Sequence, residues 1–360
     1  MWFVSSRASW LEKPTSVRIR IEERGRKGHG EERATNPTNR NETMTGRCLL
    51  LFSLFVARAD RPPKSIPPEL LSAYTLQDQV PVAEFYVDDT KKGEGTHYKY
   101  DAGAIDGYFK SYAARLESWR AFAVEEGLDS NRTMFEETIQ DVPKQHWPLC
   151  VLDHFFSASS LADKRVVIFG TMEPWAEALC LGLGAKDVTT VEYNDLTFEH
   201  GALTTIKPDA FRRRVEDGER WSIALSFSSF DHDGLGRYGD PLVPDGDLQA
   251  MKLMRKALEP QGIAFLTLPL GQDLVVWNLH RRYGPLRLPL MLQDWQVLGT
   301  FPWDETRSVE DGNFRQTYEP VFVLMPRDAD QEEEEDREID EGRVCSDFSS
   351  GSDDQRRKAK

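Results

Sequence analysis

The chain has 360 residues, enough for one large domain or two modest ones, and its formal net charge is −15 at pH 7. This acidic balance argues against a general nucleic-acid binder, whose phosphate contacts need a basic surface, and it predicts no nucleic-acid partner. Hydrophobic residues make up only 39% of the sequence, which predicts disordered ends around an ordinary folded core.

The N-terminal segment divides into two parts. Residues 1–43 show no sustained apolar period, and we expect them to be disordered or an extension of the gene model. In residues 44–59, Arg47 precedes a ten-residue apolar run that ends in Ala57-Arg58-Ala59. This pattern is typical of a secretory signal peptide with an A-x-A cleavage site. It predicts a protein of the secretory pathway if translation starts at Met44; the alternative is a short buried helix in a cytoplasmic protein.

The apolar run of residues 48–57 is too short to span a bilayer, and no other apolar run in the sequence is long enough to do so. We therefore expect no stable transmembrane helix.

Residues 60–148 are predicted to form an accessory region. Four prolines lie near its start, and the segment IDGYFKSYAARLESWRAFAVEEG then predicts a long amphipathic helix. Its apolar stripe, at spacings of three and four, consists of Ile105, Tyr108, Tyr112, Leu116, Trp119 and Phe122. A stripe of this kind usually packs into a core, so we expect the helix to lie against the domain that follows.

The segment DKRVVIFGTMEPWAEALCLGLGAKDVTTVEYN, residues 163–194, predicts a strand, a tight turn, a helix and a second strand. Gly170 ends the first apolar run, Pro174 suits the first turn of the helix, and Glu192 follows the second run. Two parallel strands joined by a crossover helix form half of a nucleotide-type fold, in which ligands bind at the carboxyl ends of the strands.

The turn after the first strand indicates the class of ligand. A dinucleotide loop needs G-x-G-x-x-G, but only Gly170 is present, and Glu173 would place a negative charge where phosphate should lie. A cationic ligand fits better, and S-adenosylmethionine is our prediction. Glu192, 22 residues after Gly170, could then accept hydrogen bonds from the ribose hydroxyls. The predicted cofactor-binding residues are Gly170, Thr171, Glu173, Trp175, Glu192, Tyr193 and Asn194. The alternative is an ordinary βαβ unit without a cofactor, in which Glu192 only caps a strand.

The remainder of the predicted domain, residues 149–326, continues the alternation of strands and helices. Strands are predicted at 221–227, 263–271, 295–301 and 319–326, with a helix at 245–258. The last two strands lack a helix between them and predict an antiparallel hairpin. Residues 327–360 contain thirteen acids and seven basic residues, and we expect a disordered acidic tail.

The segment SSFDHDGLGRYGDPLVPDGD, residues 228–247, has the highest density of polar groups. It follows a buried strand and should lie beside the cofactor pocket. His232, between Asp231 and Asp233, is predicted to be a general base with a raised pKa, and these three form the predicted catalytic set. Three alternatives stay open: a divalent-metal site, a loop that only binds substrate, and a structural loop in which Asp245 caps the next helix.

A second polar cluster, LGQDLVVWNLHRRYGPLRLPLML, should cover the same pocket from the other side. Adjacent Arg281 and Arg282 suit an anionic substrate group, although an ordinary surface role explains them equally well. The predicted substrate-binding residues from the two segments are Arg237, Tyr238, Asp240, His280 and Arg281. The four cysteines show no zinc-ligand spacing, and no metal ligand is predicted.

Three segments together resemble a known family. FGTMEPWAEALCLGLGAKDVTTVEYN, SSFDHDGLGRYGDPLVPDGDLQAM and WNLHRRYGPLRLPLML are similar to domain-of-unknown-function family 268, first catalogued from nematode proteins, over residues 149–326. The resemblance implies a class I methyltransferase-like core but no particular reaction. The expected fold is α/β, a Rossmann-like, doubly wound, mostly parallel sheet with a C-terminal antiparallel hairpin.

The sequence thus favours a methyltransferase dependent on S-adenosylmethionine that acts on a small-molecule or carbohydrate-type (glycan) acceptor. The alternatives are a non-catalytic Rossmann-like binding module and a metal-dependent glycan-modifying enzyme. The acid at the end of the second strand favours the first of these, whereas the missing glycines favour the other two.

Overall fold

The computed structural model describes residues 61–90, 96–128, 132–156, 161–315 and 317–327. The predicted gene-model extension (1–43), the signal peptide (44–59) and the acidic tail beyond residue 327 lie outside the described residues, and they stay predictions. In the part that is described, no helix combines the length and the apolar composition needed to cross a membrane.

Among its described residues, the N-terminal part contains four α-helices and two short strands. They are α1 (Pro68–Tyr74), β1 (Val82–Ala83), β2 (His97–Tyr100), α2 (Ala102–Glu125), α3 (Arg132–Thr138) and α4 (Trp147–Phe155). The long predicted helix is α2, and its N-cap Asp101 accepts a hydrogen bond from the Ala104 N–H at 2.8 Å. In residues 75–90, only the two residues of β1 belong to a sheet.

Within residues 161–315 and 317–327, the C-terminal part contains ten strands and four α-helices. They are β3 (Arg165–Phe169), α5 (Trp175–Gly182), β4 (Asp187–Val191), β5 (Asp195–Phe198), β6 (Leu203–Ile206), α6 (Pro208–Glu216), β7 (Trp221–Phe227), α7 (Gly246–Ala257), β8 (Leu258–Thr267), β9 (Leu274–Val276), β10 (His280–Arg282), α8 (Leu288–Leu292), β11 (Trp295–Phe301) and β12 (Val321–Pro326).

Seven of these strands form the central sheet, in the order β11-β12-β8-β7-β3-β4-β6. Strands β6, β4, β3, β7 and β8 are parallel to one another, whereas β12 is antiparallel to both β8 and β11. The chain winds outward from β3 to β6, then returns to β7 on the other side of β3, which makes a topological switch point between β3 and β7. This order confirms the predicted Rossmann-like, doubly wound fold of the class I methyltransferase type, including the antiparallel C-terminal pair.

The central strands are buried as a covered parallel sheet requires. Val166, Val167 and Ile168 of β3 are at most 2% exposed, so their apolar side chains are covered on both faces of the sheet. Helix α2 packs on α5, as predicted, through Leu116, which lies beside Gly182. Not all of the predicted stripe of α2 is buried, because Phe122 at its C-terminal end is 39% exposed.

Several short elements were not predicted from the sequence. Strands β2 and β5 form a two-stranded parallel sheet, and β1, β9 and β10 form a three-stranded one. Strand β8 begins at Leu258, directly after α7, rather than at residue 263. Runs of two to four residues at the rim of a domain carry too little periodicity for a pattern to identify them.

Candidate functional site

A cavity of about 440 Å³ lies at the carboxyl ends of β3, β4 and β7. The turn after β3, the residues after β4, the loop after β7 and the first turns of α7 form its wall. This is the switch point of the sheet, where open α/β folds bind their ligands. We call the wall formed by residues 170–175 and 192–194 the cofactor-side wall, and residues 228–247 the β7 loop.

Gly170 makes the close approach between these two walls possible. Its φ of +69° is in the left-handed region, and its N–H donates to the Val191 carbonyl at 2.9 Å. A Cβ at this position would overlap the Ser229 Oγ of the β7 loop. The first glycine of the turn is therefore required by the packing of the two walls as well as by the backbone conformation.

The Glu192 carboxylate organises the cofactor-side wall. Its Oε2 accepts a hydrogen bond from the Thr171 N–H at 3.2 Å, and its Oε1 accepts from the Asn194 N–H at 2.8 Å and from Asn194 Nδ2 at 3.1 Å. The side chain is largely buried, and this burial raises its pKa although the hydrogen bonds oppose the shift. A carboxylate has about four acceptor sites, so Glu192 keeps capacity for a hydroxyl in the cavity.

Six of the seven residues predicted to bind a cofactor line the cavity. They are Gly170, Thr171, Trp175, Glu192, Tyr193 and Asn194. The exception is Glu173, which is exposed and whose Oε2 accepts a hydrogen bond from the Tyr108 hydroxyl of α2 at 3.0 Å. Its carboxylate is thus directed to the accessory helix and not to the cavity.

His232 lies at the end of a short 3-10 turn, Phe230–His232, and lines the cavity. Its Nδ1 is 2.5 Å from the Leu279 carbonyl oxygen, an acceptor, so Nδ1 carries the proton and Nε2 has the lone pair. Burial lowers the pKa of His232 to about 4, and the nearby Arg237 charge acts in the same direction. The raised pKa expected for this histidine is therefore wrong: burial outweighs the neighbouring carboxylates.

Asp231 lies behind His232 and does not line the cavity. It is 1% exposed; its Oδ2 is 3.5 Å from His232 Nε2 and 3.9 Å from His280 Nδ1. Neither of its oxygens has a hydrogen-bond partner among the described residues. Burial raises the pKa of Asp231 to about 7, although the His280 charge opposes this. Asp233 does line the cavity, and burial raises its pKa as well.

Of the five predicted substrate-binding residues, Tyr238 lines the cavity and the other four lie away from it. The Arg237 Nε donates to Asp89 Oδ2 at 2.7 Å, and His280 lies behind Asp231. Asp240 accepts hydrogen bonds from two N–H groups of its own loop, those of Gly236 and Tyr238. These side chains shape the loop and do not face a ligand in the cavity.

Arg281 is fully buried, contrary to its expected role as a ligand for an anionic substrate. Its Nη1 donates to the Asp233 carbonyl at 2.6 Å and its Nη2 to the Pro244 carbonyl at 3.1 Å. It therefore connects an early and a late part of the β7 loop. Asp245 takes the predicted N-cap position of α7, but its side chain makes no capping hydrogen bond there.

A buried charge network under the β7 loop was not predicted. Arg287 donates two hydrogen bonds to the Asp247 carboxylate, at 2.7 Å and 2.5 Å, and the Tyr283 hydroxyl adds one at 3.0 Å. Burial alone would raise the pKa of Asp247, but Arg281 and Arg287 hold it below its usual range. The sequence offers no signal for this pairing, because the partners are 40 residues apart.

The charged groups that line the cavity are mostly acidic. Glu192 and Asp233 contribute carboxylates, and Arg212 of the unpredicted helix α6 contributes one guanidinium. Among the residues described above, no group of three or more histidine, cysteine, aspartate or glutamate side chains is arranged to hold a metal ion.

Comparison with solved structures finds methyltransferases. The 1,6-didemethyltoxoflavin-N1-methyltransferase of Burkholderia thailandensis is 17% identical over 61% of this chain and 90% of its own, with a TM-score of 0.38. The CcbJ methyltransferase of Streptomyces caelestis is 12% identical over 52% of this chain and 90% of its own, with a TM-score of 0.33. The fold assignment rests on the strand order and not on these similarities. No curated protein matches the chain by sequence.

The model of one protein family, described as "Caenorhabditis protein of unknown function, DUF268", matches residues 163–321. The matched range begins just before β3 and ends at the first residue of β12, so it contains both walls of the cavity. The match at residues 163–321 confirms the resemblance that the sequence motifs indicated.

Proposed function

We propose that this protein is a methyltransferase that uses S-adenosylmethionine and acts on a small-molecule or carbohydrate-type acceptor. One observation carries the proposal: the cavity at the switch point combines a tight glycine turn after β3 with a carboxylate, Glu192, after β4. Such an acid can accept hydrogen bonds from ribose hydroxyls, and the excess of carboxylates in the wall suits a cationic ligand.

The residues of the cofactor-side wall fit this group. Glu192 would accept from the ribose, and Trp175 provides an apolar face together with Phe227 at the end of β7. When bound, S-adenosylmethionine supplies an electrophilic methyl group, and an acceptor hydroxyl or amine that takes it must lose a proton.

His232 is the proposed base for that proton. Its imidazole is neutral at pH 7, it lines the cavity, and its Nδ1–H is fixed by the Leu279 carbonyl, so only Nε2 can accept. Asp231, 3.5 Å from Nε2, would stabilise the imidazolium that forms. Tyr238 lines the same cavity and would contact the acceptor.

A second candidate, a non-catalytic binding module, is favoured by a different observation. Arg281 and Asp240 form hydrogen bonds with the backbone of the β7 loop, so this loop holds its shape without a substrate. A screen for transfer of a labelled methyl group to sugars, phenols and small acids separates the two functions. Cofactor binding without transfer to any acceptor would favour the module.

Calorimetric titration of the full-length chain with S-adenosylhomocysteine tests the cofactor. We expect micromolar affinity, about −8 kcal/mol. Replacing Glu192 by Ala should weaken binding by about 1–3 kcal/mol, because hydrogen bonds to a charged group are lost. Glu199→Ala is the matched control, since Glu199 is exposed, pairs with Lys99 at 2.7 Å and lies outside the cavity wall. Absence of binding heat in protein that still unfolds cooperatively would refute the proposal.

A further inference from the structure

A basic groove of about 500 Å³ lies at the end of the sheet opposite the cavity. The starts of β7 and β8, the last turns of α7 and the end of β12 surround it. Five basic side chains line it, Arg220, Lys252, Arg255, Lys256 and Arg327, against two acidic ones, Glu259 and Asp294. This positive surface stands out in a chain whose net charge is −15.

The dipole of helix α7 accounts for only some of these basic residues. Arg255 and Lys256 lie in the last turn of α7, where cations interact favourably with the helix dipole. Lys252 lies a turn earlier, and Arg220 comes from the segment before β7. Lys252 and Lys256 are exposed, and neither has a carboxylate within ion-pair distance in the described part of the chain. Their charges are therefore open to an anionic partner.

The chain itself enters this groove at Arg327. The Arg327 N–H donates to the Asp294 carbonyl at 3.1 Å, and the Arg255 Nη2 donates to the Arg327 carbonyl at 2.6 Å. The backbone is thus held between two walls of the groove. In the sequence that follows, residues 328–341 contain ten acids and one arginine.

We propose that the acidic segment 328–341 docks in the basic groove of its own chain. Five extended residues span at most about 17 Å, so the first acids reach the groove from Arg327 without a linker. This tether gives the carboxylates an effective concentration in the millimolar range. Individual surface ion pairs contribute little, but several act together here within the Debye length of about 8 Å at physiological salt. Docking leaves the cavity open, so it is independent of the proposed function.

Zero-length carbodiimide cross-linking of the full chain tests contact. We expect Lys252 and Lys256 to form amide links to carboxylates of residues 328–341 about tenfold more than Lys110 and Lys186, which are also exposed but lie elsewhere. In 1 M salt, where the Debye length is about 3 Å, the preference should disappear. Links spread evenly over exposed lysines would overturn the proposal. Links between isotopically distinct chains would instead assign the groove to the tail of a second copy and overturn intramolecular docking.

A second measurement uses tryptic cleavage after Arg337, inside the acidic segment. Lys252→Glu with Lys256→Glu should speed this cleavage about fivefold, which corresponds to about 1 kcal/mol of docking energy. Lys110→Glu with Lys186→Glu makes the same change in net charge and should leave the rate unchanged. Replacing Glu332, Glu333, Glu334 and Glu335 by Gln removes four of the ten acids without changing a residue that lines the groove, and it should also speed cleavage. Equal rates in all these variants would refute docking.

Discussion

The cofactor-side wall and the β7 loop face the same cavity, but they use their polar residues in different ways. In the cofactor-side wall, Glu192 and Asn194 hydrogen-bond to each other and still line the cavity. In the β7 loop, Asp240 and Asp247 are buried and bind the loop or its supporting arginines. A loop that must hold a fixed shape beside a cavity needs such internal partners, because its backbone has no ladder of its own. A segment rich in polar residues at the edge of a sheet therefore indicates, first of all, a loop that is stabilised by its own hydrogen bonds. Contact with substrate is the weaker interpretation.

The largest expected effect comes from breaking the network under the β7 loop. Asp247→Ala would leave Arg287 and Arg281 as buried cations without their carboxylate, and it should lower the free energy of unfolding by about 3–5 kcal/mol. Urea denaturation measures the change. Asp245→Ala is the matched control, since Asp245 is two residues earlier, is exposed, and accepts a side-chain hydrogen bond from Gln249 Nε2 at 3.0 Å. A similar small loss in both variants would contradict a structural role for Asp247.

An intermediate effect concerns the protonation of His232 and Asp231. In the Asp231→Asn variant, we expect His232 to have a pKa of about 4 in the folded state, as in the unsubstituted protein, and of about 6.5 in the unfolded state. The unfolded state then binds more protons, so stability should fall by about 1–2 kcal/mol as pH drops from 6.5 to 4.5.

The reverse is expected in His232→Gln. Asp231 keeps a folded pKa of about 7, above its unfolded value, so the folded state binds more protons and stability should rise over the same interval. Burial lowers the pKa of His280, which faces position 231, and the Asp231 charge opposes this shift. In Asp231→Asn that charge is lost, so His280 adds to the fall in stability at low pH, whereas Glu319 lies nearby in both variants. Urea unfolding at the two pH values measures the slopes. Slopes of the same sign in both variants would show that burial does not control this pair.

The fold was largely predictable because its central elements are long and regular. Short stretches of sequence suffice to recognise the apolar runs of β3, β4 and β7 and the glycine turn. The parallel topology then places Gly170 and Glu192 together. What the sequence could not show is the direction of side chains in the β7 loop. Whether Arg281 faces a substrate or the Pro244 carbonyl depends on contacts 37 residues apart, which no local pattern encodes. The pKa of His232 was mispredicted for the same reason: its sequence neighbours are charged, but burial, a tertiary property, decides the sign.

The smallest expected effect separates two acids of the cofactor-side wall, Glu173 and Glu192. Glu173 was predicted to contact the cofactor, yet its Oε2 accepts from the Tyr108 hydroxyl at 3.0 Å, and the pKa of Tyr108 is raised to about 12 by burial and by this bond. Glu173→Gln and Tyr108→Phe should each change the affinity for S-adenosylhomocysteine by less than about twofold. The reason is that the hydrogen bond between these two side chains lies outside the cavity wall and does not contact the ligand. Titration calorimetry of both variants beside Glu192→Ala measures the contrast within one wall. A carboxylate in contact with the cationic group of the ligand would give another result, in which Glu173→Gln weakens binding about tenfold. Glu173 would then have to leave Tyr108 when the ligand binds. In that case Tyr108→Phe should strengthen binding, because the Glu173 carboxylate would no longer be held by the Tyr108 hydroxyl.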